Sequence, residues 1–307
     1  MTSTPPPTSG GPPGLPGSWE RRWDGGEVAP GVLCVLAPNE SAMTHEGTNT
    51  WLLHAPGAGE AVVVDPGPQL PGHLDAVIAA ARERGVRIAA ILVTHHHLDH
   101  LEGVERFAQL TGAPVHFPGR DRPATAEETA EETAEGTAPT FDIEVEGLRV
   151  VAVPTPGHTM DSYCFHVPQL GALLTGDTIL GRGTTVVTWP DGDLGAYLAS
   201  LARLRDLATD PQHPVEVILP GHAAPFSGAD VTGVIDYYLD HRRERLDQVR
   251  AVLADRPVPQ ADDDPEAGEL EALVEHVVRT VYQDAPQEVW PAARQSVRAQ
   301  LEYLRSH

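Results

Sequence analysis

The residues with the clearest chemical potential lie in one short stretch, Thr94-His95-His96-His97-Leu98-Asp99-His100. Imidazole nitrogen and carboxylate oxygen both bind zinc at about 2.0–2.2 Å, so a cluster of these side chains is typical of a metal site. His95 and His97 alternate and should point the same way while the chain is extended, whereas Asp99 and His100 fall where the chain begins to coil. One stretch cannot complete a metal shell alone, so further ligands must come from elsewhere.

Three later positions offer these ligands. Each follows a strand-like apolar segment and stands beside a glycine: His158, Asp177 and His222. Taken singly, a Pro-Gly-His or Gly-Asp sequence is typical of an ordinary turn. Together with the stretch 94–100, and in this order, they indicate a metal centre assembled from four separate segments.

The order His-x-His-x-Asp-His followed by His, Asp and His resembles the signature of the metallo-β-lactamase fold hydrolases over about residues 28–228. The resemblance is strongest to the β-lactamase-like protein 2 and glyoxalase II-like branch. It implies one metal on His95, His97 and His158, a second metal on Asp99, His100 and His222, and Asp177 between the two. The secreted β-lactamases of this fold carry Cys where this chain has Asp177, which argues against a role in antibiotic resistance.

The chemistry that the resemblance implies is hydrolysis with two divalent metal ions. Such a pair lowers the pKa of a shared water to about 7 and so supplies a nucleophile at neutral pH. Asp99 is expected to be catalytic, taking the proton of the water and returning it to the leaving group. The ligands are imidazole and carboxylate without thiolate, a set that suits zinc and is also compatible with iron or manganese.

The elements that must position these residues are strands alternating with helices. The apolar run 88–93 predicts a buried strand that delivers the stretch 94–100, and 61–65 predicts a strand that stops at Asp65. A carboxylate at that place either starts the turn before Pro66 or accepts the second N–H of a metal-bound imidazole, and the resemblance favours the second role for Asp65. This order predicts an α/β protein, and the resemblance implies a four-layer αββα sandwich.

Three further elements are predicted to deliver the remaining ligands. Hairpins over 141–153 and 163–175 should lead to His158 and Asp177, an amphipathic helix should follow over 197–207, and a strand over 215–219 should lead to His222. All the proposed ligands then lie at strand exits, where loops on a rigid sheet commonly carry function.

Composition divides the chain into three parts. Residues 1–27 form a Pro/Gly-rich segment that we predict to be a disordered tail. Residues 28–228 are the predicted catalytic domain, and residues 229–307 have helical periodicity and resemble the small winged-helix-like part of some family members. That last part holds 9 Arg against 16 Asp plus Glu, so we expect it to pack or to form a substrate wall rather than to bind nucleic acid.

Charge limits the partners of the protein. The net charge of the 307 residues is −23 and all 21 basic residues are Arg, a balance poorly suited to a phosphate backbone or to anionic lipid. The repeat over 125–136 carries only acidic charge, and we predict a solvated loop or a frayed helix there. Without a secretory signal or an apolar stretch of about 18 residues, we expect a cytoplasmic protein with no membrane contact, and we expect Cys34 and Cys164 to be buried thiols.

Two function classes remain in competition. The first is hydrolysis of an ester, thioester or lactone in a small-molecule substrate. The alternative is cleavage of single-stranded RNA, which the branch resemblance suggests and the acidic charge disfavours. A sulfur-oxidising protein is less favoured because the ligands of both metals are present, and a non-catalytic metal-binding protein is less favoured for the same reason.

Overall fold

The computed structural model describes residues 21–117, 141–254, 266–283 and 285–306. Within these ranges the chain forms two six-stranded sheets with helices packed on them. Three segments lie outside the described residues: the first twenty residues of the predicted tail, the acidic repeat over 125–136, and the Asp-rich, Pro-containing segment 261–265, which the sequence predicts to be a linker. The predictions made for those three segments therefore stay predictions.

The first sheet has the strand order β1-β2-β3-β4-β5-β6. Its strands are β1 (Gly26–Ala29), β2 (Val32–Leu36), β3 (Asn49–Leu53), β4 (Glu60–Val64), β5 (Arg87–Leu92) and β6 (Val115–His116). The helix α1 (Pro71–Glu83) joins β4 to the parallel strand β5, and α2 (Leu98–Leu101) and α3 (Val104–Thr111) follow β5. The sequence patterns did not predict β1 and β6, which lie at the two edges of the sheet.

The second sheet has the order β12-β11-β10-β9-β8-β7. Its strands are β7 (Phe141–Val145), β8 (Leu148–Pro154), β9 (Tyr163–Val167), β10 (Ala172–Gly176), β11 (Val217–Pro220) and β12 (Phe226–Ser227). The antiparallel pairs β7–β8 and β9–β10 confirm both predicted hairpins. The helix α4 (Leu194–Ala208) joins β10 to the parallel strand β11. As predicted, Cys34 and Cys164 are buried free thiols.

The side chains of each strand point alternately to the two faces of its sheet, and this explains the four layers. In β4, Val62 packs into the core between the two sheets, whereas its neighbour Val63 packs under α1 and α3. In β10, Leu174 faces the core between the sheets and Leu173 faces α4. Because successive side chains of a strand point to opposite faces, each sheet needs an apolar layer on both sides. The predicted αββα sandwich is confirmed.

Three helices complete the described chain: α5 (Asp230–Leu253), α6 (Glu266–Val281) and α7 (Trp290–Ser306). The first half of α5 packs on α4, with Tyr238 fully buried. The second half joins α6 and α7 in a separate core around Val249, Val277 and Leu301. No described helix combines the length and apolarity that a transmembrane span requires.

The folded part begins earlier than the predicted boundary at residue 28. Trp23 is 6 % exposed and its indole Nε1 donates to Asn49 Oδ1 at 2.9 Å. The strand β1 also starts at Gly26. One large aromatic side chain with a hydrogen-bond partner anchors a segment whose average composition is poor in apolar residues. The prediction of a tail over 1–27 was therefore wrong for its last residues.

After the histidine stretch the sequence predicts one helix with Val104, Phe107 and Leu110 on one face, and the structure has two helices, α2 and α3. The helix is interrupted at Gly103, whose N–H donates to the carbonyl of Gly67 at 2.9 Å. A Cβ on Gly103 would lie 2.8 Å from that carbonyl oxygen, so the close approach requires glycine. Val104 and Phe107 are buried, whereas Leu110 is 41 % exposed, so only the first part of the predicted face is buried.

Candidate metal centre

The structure brings all seven predicted ligands to one edge of the sandwich. The strands β4 and β5 are parallel, as are β10 and β11, and β8 runs in the same direction as β10 because both are antiparallel to β9. The side chains form two groups, and within each group the candidate ligand atoms lie within 4.8 Å of one another. The first group is His95, His97, His158 and Asp177, and the second group is Asp99, His100 and His222.

The first group has the spacing of donors around one cation. His97 Nδ1 lies 3.0 Å from His95 Nε2 and 3.1 Å from His158 Nε2. Asp177 Oδ2 lies 4.0 Å from His95 Nε2 and 3.7 Å from His158 Nε2. Ligands at about 2.0–2.1 Å from a tetrahedral ion are about 3.3 Å apart, so shifts of less than about 1 Å, with Asp177 moving inward and the imidazoles slightly apart, would fit a shell.

The second group shares Asp177 with the first. Asp99 Oδ2 lies 3.2 Å from His222 Nε2 and 3.5 Å from His100 Nε2. Asp177 Oδ1 lies 3.4 Å from each of the same two nitrogens. One oxygen of Asp177 therefore faces each group, which is the arrangement of a carboxylate between two cations.

Two buried polar atoms support the fit of a metal. His100 Nε2 and Asp177 Oδ1 are buried and have no hydrogen-bond partner. Buried polar atoms in folded proteins nearly always have a partner, so two unsatisfied atoms facing each other need an explanation. A divalent cation between them would satisfy both, and imidazole with carboxylate is a suitable donor set for one.

Asp65 has the predicted role of orienting an imidazole. Its Oδ2 accepts a hydrogen bond from His100 Nδ1 at 2.9 Å, and it also accepts from the backbone N–H and the hydroxyl of Thr94 at 2.8 and 2.7 Å. The Thr94 hydroxyl oxygen in turn lies 3.0 Å from His95 Nδ1. With the proton held on Nδ1, the Nε2 lone pair of each histidine is free for a metal.

Two further imidazoles are oriented by backbone carbonyl groups. His158 Nδ1 donates to the carbonyl of Val186 at 2.6 Å, and His222 Nδ1 donates to the carbonyl of Gly47 at 3.1 Å. Sequence analysis missed both partners because every residue has a carbonyl group. Only the isolated bridge between Thr48 and His222 reveals how the loop before β3 reaches the last ligand.

In the metal-free protein, burial and nearby charges give the two groups different protonation states. Burial lowers the pKa of His97 to about 4 and also lowers the pKa of His95 and His158. These three imidazoles are therefore neutral at pH 7, the form in which histidine binds a metal. The first group is ready for a cation without losing a proton.

The second group is charged instead. Burial is the largest single effect on the pKa of His222 and lowers it, but the carboxylates of Asp177 and Asp99 together outweigh burial and raise that pKa to about 9. Burial also acts on His100, and the carboxylates of Asp99, Asp177 and Asp65 together raise its pKa well above the ordinary value. Burial raises the pKa of Asp99, but the charges of His100 and His222 and the hydrogen bond with His222 together lower it to about 2. A cation at the second group must displace protons.

His96, which the sequence does not predict as a ligand, lies outside both groups. Its Nδ1 lies 3.0 Å from Asp161 Oδ1 and 3.9 Å from Asp191 Oδ2, and its side chain is 37 % exposed. His73, also predicted not to be a ligand, is buried with its Nε2 2.9 Å from Thr50 Oγ1. Both histidines have local polar partners away from the two ligand groups.

Fold and site together define an αββα protein with a His/Asp metal centre at the carboxyl ends of its strands. Residues 43–222 match the family model of the metallo-beta-lactamase superfamily, and the chain belongs to this superfamily. Residues 274–306 match the beta-lactamase associated winged helix domain. The predicted family and the predicted winged-helix-like C-terminal part are both confirmed.

Two curated relatives and one solved structure place the chain further. It is 33 % identical to the Drosophila melanogaster "Beta-lactamase-like protein 2 homolog", over 89 % of this chain and 87 % of the relative. It is 31 % identical to the "Atrochrysone carboxyl ACP thioesterase" of Aspergillus chevalieri, over 85 % of this chain and 76 % of the relative. A metallo-beta-lactamase family protein from Thermus thermophilus superposes with a TM-score of 0.64 at 27 % identity, covering 91 % of this chain and 95 % of that one.

Proposed function

We propose that the protein is a binuclear metal-dependent hydrolase that cleaves a thioester, ester or lactone bond in a small-molecule substrate. The observation that carries the proposal is Asp177, whose two oxygens each face one of two separate groups of imidazole nitrogens. A thioester is the preferred substrate, because a relative 31 % identical over 85 % of this chain is named a thioesterase.

The residues of the two groups would hold one divalent ion each. When bound, such ions supply a nucleophilic hydroxide near neutral pH and polarise the scissile carbonyl. Zinc suits the nitrogen and oxygen donors best, and iron or manganese is also compatible with them. The chain contributes the fixed directions of the imidazoles, which Asp65 and the carbonyls of Gly47 and Val186 set through hydrogen bonds.

Asp99 is proposed as the residue that moves the proton. One of its oxygens faces His222 and His100, and the side chain is 29 % exposed, so the carboxylate also borders the open side of the centre. The lowered pKa keeps Asp99 ionised at neutral pH, so its carboxylate is in the form that can accept a proton. The same group can then deliver that proton to the departing thiolate or alkoxide.

The surroundings of the centre favour a substrate with an apolar part. Among the large hydrophobic side chains exposed in the described residues are Leu98 at 70 %, Met43 at 51 % and Met160 at 51 %. Leu98 stands between two ligands, and Met160 follows His158 by two residues. Met43 belongs to the loop whose Gly47 carbonyl orients His222. These three side chains offer an apolar acyl group a contact surface beside the metal centre.

The proposal is tested by metal analysis of the purified protein and a substrate panel. We expect two metal equivalents per chain and metal-dependent turnover of acyl thioesters, with kcat/KM rising as the acyl chain lengthens. At metal concentrations that fill both groups of Asp99→Asn, this variant should lose most of the turnover, and full turnover with both metals bound would remove the proton-transfer role.

The apolar surface is tested in the same panel. Leu98→Ser should lower kcat/KM for long acyl thioesters more than for the acetyl thioester. Leu110→Ser is the matched control, since Leu110 is also exposed but lies on α3. Cleavage of single-stranded RNA with no thioester or lactone turnover would overturn the proposal in favour of the nuclease alternative.

A further inference from the structure

The segment from Asp177 to Thr188 supplies two parts of the metal centre. Asp177 provides the oxygens that face both groups, and Val186 provides the carbonyl that accepts from His158. The hydroxyl of Thr185 donates to the carbonyl of Asp177, so a hydrogen bond connects Asp177 to the residue directly before Val186. A shift of this segment would disturb both parts at once.

The helix α5 holds this segment from behind. Arg242 Nη2 donates to the carbonyl of Thr185. The Tyr238 hydroxyl accepts from the N–H of Leu180 at 2.8 Å and donates to the carbonyl of Gly183 at 3.1 Å. Both side chains are buried, Arg242 at 3 % exposure and Tyr238 at 0 %. A helix from outside the predicted catalytic domain thus fixes the backbone that carries two elements of the centre.

Arg242 is an unfavourable residue for this place if packing were its only role. Its guanidinium lies over the ring of Tyr197 at 5.0 Å, and its Nε is buried without a hydrogen-bond partner. Within the described part of the chain no carboxylate forms an ion pair with it. Burying a cation without an anionic partner is strongly unfavourable, and an apolar side chain would pack there more favourably. Besides its contact with the Tyr197 ring, the guanidinium of Arg242 makes the hydrogen bond to the Thr185 carbonyl.

We propose that Arg242, together with Tyr238, is a positioning residue that sets the metal affinity of the first group. Arg242 fixes the carbonyl of Thr185, and the covalently following Val186 then presents its carbonyl to His158 Nδ1. The Thr185 hydroxyl passes the same constraint to Asp177. The C-terminal helical part therefore acts on the metal centre through the 177–188 segment. This inference rests on the metal centre of the proposed function and does not depend on the substrate.

The test is zinc binding by the full-length protein, measured by competition with a chromophoric chelator. Loss of partners that orient metal ligands weakens metal affinity by about 10–100-fold. Arg242→Met should therefore bind zinc at the first group about 10–100-fold more weakly, with a smaller loss at the second group, which shares Asp177 but not the Val186 carbonyl. Arg242→Lys, which still donates to one carbonyl, should restore most of the loss. The visible spectrum of the cobalt-loaded protein should change in Arg242→Met and recover in Arg242→Lys.

Arg243→Met is the matched control, because Arg243 is the next residue of α5, is 67 % exposed and pairs with Asp240 at 2.9 Å. Its zinc affinities should stay within about twofold of those of the unmodified protein. Unchanged zinc affinities in a folded Arg242→Met protein would overturn the proposal.

Should Arg242→Met fail to fold, Tyr238→Phe provides the test. This variant removes only the hydroxyl that binds Leu180 and Gly183, and unchanged affinities in it would equally overturn the proposal. Because these readouts are metal affinities, they stand even if no thioester is cleaved. Absence of thioester turnover with normal metal binding would instead count against the proposed function alone.

Discussion

At the scale of single residues, the metal centre is built by pairs rather than by isolated ligands. His100 depends on Asp65, His158 on the carbonyl of Val186, and His222 on the carbonyl of Gly47. Each pair fixes which ring nitrogen carries the proton and where the other nitrogen points. Substitution of an orienting partner should therefore act on metal binding without removing a ligand.

Asp65→Asn should lower the affinity of the second group for zinc by about 10–100-fold, because the amide keeps the shape and loses the charge that holds His100. The measurement is chelator competition at neutral pH. Asp75→Asn is the control, since Asp75 lies exposed on α1 away from the ligands. An Asp65→Asn protein with both zinc affinities unchanged would show that Asp65 merely starts its turn.

Metal loading should release protons unequally from the two groups. At pH 7 the first group is neutral, with the pKa of His97 at about 4, whereas the raised pKa values of His100 and His222 keep the second group protonated. Loading should release about two protons from the ligands, both from the second group, and up to about one more from the water that becomes hydroxide. As pH rises through the His222 pKa of about 9, that histidine becomes neutral before the metal binds, and the release falls. Calorimetry in buffers of different ionisation enthalpy measures the release, and equal release for both metals would contradict the assignment.

At the scale of elements, the ligands converge because the four strands β5, β8, β10 and β11 bring their carboxyl ends to one edge. Glycines at these ends allow the chain to pass close to the ligands. A Cβ on Gly221 would lie 2.5 Å from Asp177 Oδ1 and 2.8 Å from His100 Cε1. A Cβ on Gly157, which has a φ of 143°, would lie 2.3 Å from the Cα of Tyr197. These glycines are part of the geometry of the centre rather than simple turn residues.

Gly221→Ala should weaken zinc binding by at least about tenfold, because its methyl group would displace Asp177 or His100. Its effect on the thermal stability of the metal-free protein should be smaller than its effect on metal binding. Gly72→Ala is the matched control, since Gly72 lies in α1 and a Cβ there meets nothing within 4 Å. Alanine favours a helix over glycine by about 0.5–1 kcal/mol, so this control should keep its zinc and gain slightly in stability. Normal zinc binding by Gly221→Ala would show that the strand end can relax.

At the scale of the whole molecule, charge and the C-terminal helices set the conditions around the centre. The net charge of −23 repels anions at long range. The helices α5 and α7 pack on the second sheet, and Ser296 of α7 accepts a hydrogen bond from the N–H of Val187 at 3.4 Å. The acidic C-terminal part is thus joined to the loop of the metal centre, which agrees with the expected packing role.

The salt dependence of kcat/KM should report the electrostatic field that the acidic surface produces. For a neutral thioester, kcat/KM should change by less than about twofold between about 50 and 500 mM salt, because no charge on the substrate is screened. For a thioester with a carboxylate on its acyl part, kcat/KM should rise with salt, because salt screens the repulsion by the acidic surface. A steep fall in the cleavage of single-stranded RNA as salt rises would indicate contacts with the phosphate backbone and would support the RNA alternative.

The sequence alone predicted the candidate ligands, because imidazole and carboxylate side chains follow four strand-like segments in an order that resembles one family. It also predicted a sheet covered by helices, since the apolar run 61–65 is followed by a helical period over 73–83, and the resemblance implied the four layers. The place of Asp65 at the end of a strand, together with the resemblance, predicted an orienting carboxylate.

The tertiary structure alone decided how Asp177 divides its oxygens and which carbonyls orient His158 and His222. It also placed Arg242 behind the 177–188 segment and Trp23 in the core between the sheets. These contacts join residues far apart in the chain, and Asn49 and Trp23 are an example at 26 positions. A carbonyl group or a buried arginine carries no local pattern, because its role exists only when the sheets and helices have packed.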